Sequence, residues 1–311
     1  MFEKAAVILY YAITPTHMGA GDGVGVVDAP IQREIMTGYP VLYGSGLKGA
    51  IRHDLSREWK DQRPRDLTLI FGPESKESSE HAGAVSFSDA NIVLFPVKSM
   101  EKGFVYVTSP LSLARLARLI EVSNGDADWG IEAPDDSEAF VASGSSVLEV
   151  ALEDDGVKKV SLEYFEFNLK GSEELLKATT WIAEHINAYD VDGFFAKKLR
   201  EDIVLISEKN FGFFVNNHTS VEPHVKIDPK TGTAEGSALF YVENLPPETL
   251  LAGLVMASRV RSPEAQDKDA SWVLDQLSDE IDKEIVQFGG DATYGRGLMQ
   301  VGVVELDLKE S

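Results

Sequence analysis

Two side chains able to move a proton, His17 and Asp28, bracket a segment with glycine at positions 19, 21, 23 and 25. An imidazole and a carboxylate that meet at one substrate can act as acid and base, or hold a divalent ion. Asp22 sits in the same loop as a competing carboxylate. Spacing alone leaves these roles open, because a loop His or Asp also serves as a turn former or a surface residue. His53, His81, His185, His218 and His224 show no metal-ligand spacing and receive no role.

Two glycine-rich stretches add anion-binding chemistry. Gly44, Gly46 and Gly49 follow the pattern Gly-x-Gly-x-x-Gly, with Ser45 and Lys48 inside it and Arg52 just beyond. Glycines let a backbone approach a phosphate, and a following helix N-terminus offers free N–H groups. The strand before it is very short for a dinucleotide site, and Ala50 stands where a P-loop needs Lys. A phosphate-backbone contact, a dinucleotide loop and a plain strand-to-helix turn all stay open. The second stretch runs from Phe288 to Leu298 and holds Gly289, Gly290, Thr293, Gly295, Arg296 and Gly297, a composition that suits an anion nest.

Elements must position these loops. Residues 4–13 form an apolar strand. Residues 14–34 carry Pro15, Pro30 and the four glycines, so they read as a long functional loop. Ser45 opens a helix whose Leu47, Ala50, Ile51, Leu55 and Trp59 share one face, with Pro64 as its stop. Strands are expected at 84–87, 92–97, 104–108 and 160–167. Ser109-Pro110 starts a helix through Ile120, and Ser172 caps another to about Ile186. A tight turn at 228–232 makes residues 221–242 a hairpin. A strand over 250–260, a helix marked by Trp272, Leu274, Leu277, Ile281 and Ile285, and a strand over 298–308 close the chain. With insertions removed, the order is β-α-β-β-α-β, the arrangement of an α+β ferredoxin-like or RRM-like sheet. A doubly wound sheet is compatible too.

Charge narrows the function. The 311 residues hold 29 Lys and Arg against 51 Asp and Glu, a formal net charge of −22. That net charge opposes a nucleic-acid partner, yet residues 1–70 balance 8 basic with 8 acidic side chains. Residues 119–157 hold 11 acidic side chains and no Lys or Arg, and read as an acidic surface insertion. Cysteine is absent, which excludes disulfides, thiolate metal sites and cysteine nucleophiles. The early apolar run, residues 5–12, is too short to span a bilayer, so a cytoplasmic protein with no membrane partner is expected.

Several segments together resemble the RAMP superfamily, and within it the backbone subunits of type III-B CRISPR effectors, the Cmr complexes. They are Thr14-Pro15-Thr16-His17, Val26-Val27-Asp28-Ala29-Pro30-Ile31-Gln32-Arg33-Glu34, Gly38-Tyr39-Pro40-Val41 and Gly44 to Arg52. Phe71-Gly72-Pro73, Phe95-Pro96-Val97, Val107-Thr108-Ser109-Pro110, Thr231-Gly232-Thr233 and the closing glycine loop extend the likeness over nearly the full length.

The resemblance implies one RAMP domain over 1–311: an RRM-like palm, helical insertions and a β-hairpin thumb, the last around 221–242. It implies copies stacked on a guide crRNA beside other effector subunits. Complementary target RNA would be cut at roughly six-nucleotide intervals. It places the family's catalytic aspartate at Asp28 and its histidine at His17, and implies a divalent metal, Mg2+ held through Asp28, with no other metal ligand assigned. Arg33, Ser45, Gly46, Lys48, Arg52, Gly289, Gly290, Thr293 and Arg296 fall where RNA contacts belong. Two alternatives stand beside it: a non-catalytic guide-RNA scaffold, and a nucleotide-dependent enzyme using residues 44–49.

Overall fold

The computed structural model describes residues 2–23, 25–73, 81–186 and 193–306. In chain order the elements are β1 (Lys4–Ala12), β2 (Val41–Leu42), α1 (Gly44–Trp59), α2 (Pro64–Phe71), β3 (Val85–Phe87), β4 (Ala90–Ser99), β5 (Gly103–Thr108) and α3 (Pro110–Val122). Then come β6 (Glu138–Ala142), α4 (Ser146–Val150), β7 (Leu152–Asp154), β8 (Val157–Leu162), β9 (Phe165–Ser172), α5 (Glu173–His185), α6 (Phe194–Glu201), β10 (Ile203–Ile206) and α7 (Glu208–Asn217). The chain ends with β11 (Ser220–Ile227), β12 (Ala234–Asn244), β13 (Leu250–Ala257), α8 (Ala270–Ile281), β14 (Ile285–Gln287) and β15 (Leu298–Val304).

β1 is an interior strand of the main sheet, buried along nearly its whole length. It pairs antiparallel with β13 on one side and β15 on the other. Its side chains alternate: Ala6, Ile8 and Tyr10 enter one apolar cluster, and Val7, Leu9 and Tyr11 enter another. A strand buried on both faces must be apolar at nearly every position, which is what residues 4–13 display. β4 joins β13 antiparallel, so four strands run in the order β15-β1-β13-β4. Leu47, Ile51, Leu55 and Trp59 of α1 and Val273, Leu274, Leu277 and Ile281 of α8 cover the face of Ile8. Leu113, Leu116 and Ile120 of α3 and Leu175, Ala178 and Ile182 of α5 cover the face of Leu9. The result is a mixed α/β chain with helices on both faces of one sheet.

Beyond β4 the sheet continues through β5, β10, β6, β9, β8 and β7, with β5–β10 and β6–β9 parallel. β6 lies within the acidic stretch 119–157. Most of the stretch's carboxylates are exposed, while Trp129, Ala139, Val141 and Val147 between them are buried, so the segment belongs to the sheet as well as to the surface.

Local expectations meet several revisions. α1 has Tyr43 at its N-cap, with no side-chain cap, and Asp89 Oδ1 accepts from Gly44 N at 2.8 Å. Ser45 is therefore inside the helix rather than its cap. Pro64 starts α2 instead of merely stopping α1, because proline suits a first helical turn. Residues 160–167 span the turn between β8 and β9, where Glu163 takes a positive φ. β3 and β4 both pair with β13. Ile285 leaves the last helix for β14. Ser109 and Ser172 cap their helices as expected, accepting from Ser112 N and Leu175 N. The 221–242 hairpin forms as β11 and β12, a two-stranded sheet of its own. Residues 307–308 of the expected last strand lie outside the described residues.

Candidate active site and cation cluster

The loop between β1 and β2 folds back on itself. Gln32 N donates to Met18 O at 2.8 Å, Ala20 N to Pro30 O at 2.9 Å, and Gly23 N to Asp28 O at 2.8 Å. The outgoing limb with His17 and the returning limb with Asp28 therefore lie together. Both then dock on the edge of β12 that faces away from β11. Thr16 bridges Leu245, and Ala29 bridges Val242.

The two candidate side chains use the same edge. His17 Nδ1 donates to Glu243 O at 2.7 Å. A carbonyl only accepts, so Nδ1 carries the proton, and in the neutral ring Nε2 has the lone pair. Asp28 is exposed, and its Oδ2 accepts from Tyr241 N at 2.7 Å. The anchors are two residues apart on one strand, about 7 Å along it. Asp22 is exposed and lies elsewhere on the same loop.

Glu243 is the hub. Its backbone holds His17, and its N–H donates to Ala29 O at 3.0 Å. Its carboxylate accepts from Ile31 N at 3.0 Å, Thr219 Oγ1 at 2.7 Å and Arg33 Nη2 at 2.5 Å. Burial opposes its ionisation, but the hydrogen bonds from Thr219, Arg33 and Ile31 prevail and hold its pKa below the ordinary glutamate value. Arg33 spends its other contacts on Gly38 O, Val215 O and Asn216 Oδ1. Its guanidinium thus ties the loop to α7 and to β12.

The closing glycine stretch braces the His17 limb. Gly290 N donates to His17 O at 2.8 Å, and Gly297 N to Pro15 O at 2.9 Å. Gly289 has φ +78°, and a Cβ there would lie 2.3 Å from His17 O. Only glycine fits. Gly289, Gly290 and Thr293 are exposed, and Arg296 pairs with Glu222 of β11. Tyr294 and His224 meet at 5.9 Å, while His224 stacks on Phe240 at 5.3 Å, joining this loop to the hairpin.

The first glycine pattern lies within the opening turns of α1 rather than in a loop. Ser45 and Gly46 are exposed there, and Gly46 backs onto Met18. Asp89 already occupies Gly44 N, and a Cβ at Gly44 would lie 2.3 Å from Phe87 O. Close packing explains that glycine, and the carboxylate at the helix start disfavours a dinucleotide pyrophosphate.

Lys48 donates to Val85 O at 2.8 Å. Burial first, then the charges of Arg52 and Arg261, hold its ammonium below its ordinary pKa. No ion pair among the described residues includes Lys48, Arg52 or Arg261. The charges of Arg52 and Arg261 thus disfavour the charged form of Lys48, and none of the three has a carboxylate partner among the described residues. Arg261 joins them from the segment after β13, a placement no local pattern announces. Tyr241 and Glu243 were equally invisible, lying in what read only as a hairpin strand.

Among the described residues, no group of three His, Asp or Glu side chains is placed to hold a metal ion. Asp28 has one carboxylate oxygen engaged by Tyr241 N, and the His17 ring has its Nδ1 engaged by Glu243 O. The described side chains offer no three-ligand protein cage, and a Mg2+ held through Asp28 would take its other ligands from substrate phosphates and water.

Residues 10–300 match the family model of the RAMP superfamily. The "CRISPR system Cmr endoribonuclease Cmr4" of Pyrococcus furiosus is 33% identical over 97% of each chain. The "CRISPR system Cms endoribonuclease Csm3" of Streptococcus thermophilus is 26% identical over 54% of this chain and 85% of that one. The crystal structure of oligomeric Cmr4 from Pyrococcus furiosus superposes with a TM-score of 0.72 at 28% identity, over 98% of this chain and 99% of the other. A subunit in the type III-B Cmr-beta complex bound to cognate target RNA shares the fold, with a TM-score of 0.72 at 20% identity over 97% and 98% of the two chains. From its central strand to its closing glycine stretch, and with a full-length relative at that identity, the chain belongs to the RAMP superfamily.

Proposed function

We propose that this chain is the backbone subunit of a type III-B CRISPR effector, polymerising on guide RNA with other subunits and cutting RNA paired to that guide. The observation that carries the reading is the meeting of His17 and Asp28 on one strand edge, in a chain whose full-length relative is named an endoribonuclease. The β15-β1-β13-β4 sheet with α1 and α8 is the palm, and β11–β12 is the thumb. Lys48, Arg52 and Arg261 hold a guide phosphate, with Ser45 and Gly46 alongside. No helix among the described residues is long and apolar enough to cross a membrane, and a cytoplasmic setting goes with this reading.

The chemistry follows from this chain's own groups. A target nucleotide unstacked at the thumb turns its 2′-hydroxyl in line with the adjacent phosphate, an orientation effect worth ~7–11 kcal/mol. Asp28 takes the 2′-hydroxyl proton while the O2′–P bond forms and the P–O5′ bond breaks. A protonated His17, still donating through Nδ1 to Glu243, gives the Nε2 proton to the leaving oxygen. The products are a 2′,3′-cyclic phosphate and a 5′-hydroxyl. The Mg2+ expected from the resemblance would find one carboxylate here and would draw its remaining ligands from RNA and water.

The test is cleavage by the assembled complex. Guide-bound wild type with its partner subunits should yield target fragments stepped by roughly six nucleotides. Intact target in a complex shown to hold guide and target would leave a scaffold without nuclease activity.

A further inference from the structure

Ile35 and Met36 are 98% and 91% exposed, side by side at the tip of one turn. Turn tips ordinarily carry polar residues. This one is also stiff. Gly38 N donates to Glu34 O at 2.9 Å, and Glu34 N to Tyr39 O at 2.8 Å. The Glu34 carboxylate accepts from Arg115 at 2.7 and 3.0 Å, Asn91 at 2.6 Å and Thr37 at 2.7 Å. Arg33 ties the other flank to Gly38 O, to α7 and to Glu243. Two large apolar side chains are therefore held out on a braced support, and little ordering entropy remains to be lost on binding.

Charge bears on what occupies it. RNA binding draws on Lys and Arg, yet both cations that brace this turn, Arg33 and Arg115, are paired with carboxylates. The tip is neutral and apolar. Two copies of a chain with net charge −22 repel each other, so contact between them favours surfaces that carry no charge. We propose that the Ile35–Met36 knob docks on a second copy of this chain. The inference rests on the reading of the protein as a filament subunit and names one of the surfaces that joins its copies.

Two measurements test it. Self-association of the full chain, with and without guide RNA, is followed by sedimentation for wild type and for Ile35→Asp/Met36→Asp, with circular dichroism as the folding control. Burial of two such side chains predicts roughly 100-fold weaker association in the variant. Wild-type association should strengthen as salt screens the like charges, the opposite of RNA binding. The chain has no cysteine, so Met36→Cys is a unique thiol for a photoreactive maleimide. Irradiation of mixed light- and heavy-isotope chains in the assembled complex should give isotopically mixed chain–chain adducts. Adducts to RNA alone or within one chain, or unchanged association in the folded double variant, overturn the proposal. If the complex cuts guide-paired RNA and Met36→Cys joins only RNA, the function stands and this surface falls. If Met36→Cys joins two chains and no paired RNA is cut, the surface stands and the function falls.

Discussion

His17 and Asp28 hang from the same edge of β12, one on the carbonyl of Glu243 and the other on the N–H of Tyr241, each at 2.7 Å. Neither is anchored by its own loop alone. A strand is a stiff ruler, so the separation of the two groups is set by the hairpin and not by the glycines between them.

Replacing Asp28 by Ala removes the proton acceptor and one loop-to-strand hydrogen bond. Assembly on guide RNA should persist, because the bridge of Ala29 to Val242 and the Glu243 hub remain. Target cutting should fall by ~10²–10⁴-fold. Filter binding beside the cleavage assay separates the two effects, and loss of both would make Asp28 structural.

His17→Asn retains an N–H able to reach Glu243 O but cannot carry a proton. Cutting should drop by ~10²-fold or more with target binding unchanged. Wild-type rates in the Asn variant would reduce His17 to a positioning role. End-labelling the products checks the same mechanism independently, since 5′-phosphate ends would mean attack by water.

Gly289→Ala places a methyl group against the His17 carbonyl, at a backbone φ of +78°. The strain should shift the His17 limb and lower the cleavage rate more than it lowers RNA affinity. An alanine variant with wild-type kinetics would show that this contact does not position His17.

Glu243→Gln keeps shape and loses charge, leaving Arg33 without its anion. Stability should fall by ~1–3 kcal/mol at neutral pH. The wild type should also lose this contribution on acidification. The folded-state pKa of Glu243 lies below the ordinary value of 4.5, so its stabilisation is complete above that value and disappears as pH falls through the folded pKa. Acid unfolding curves of the two proteins should converge below pH 4.5; parallel curves would show that Glu243 does not carry the effect.

Neutralising Lys48, Arg52 or Arg261 should weaken guide binding and reduce the slope of log affinity against log salt by about 0.7 per phosphate contact. An unchanged slope for Arg261→Gln would remove that residue from the phosphate site.

Legibility followed the range of the interactions. β1, α1 and the capped helices at Ser109 and Ser172 were readable because burial periodicity and capping act within a few residues. β6 was hidden inside an acidic stretch, since five residues paired in mid-sheet leave little trace in composition. The pairing of Arg33 with Glu243, 210 residues later, left no local trace in the sequence.

The sequence by itself determined the chemical inventory: one exposed loop with His17 and Asp28, two glycine-rich stretches, a central strand, and a cation-bearing first helix in an otherwise acidic chain. Tertiary structure alone decided which members of that inventory meet. Asp28 and Tyr241 are 213 residues apart, and the charge of Arg261, from the segment after β13, acts on Lys48. Such pairings depend on strand register and on which edge of the hairpin stays open, and both are settled by packing across the whole chain.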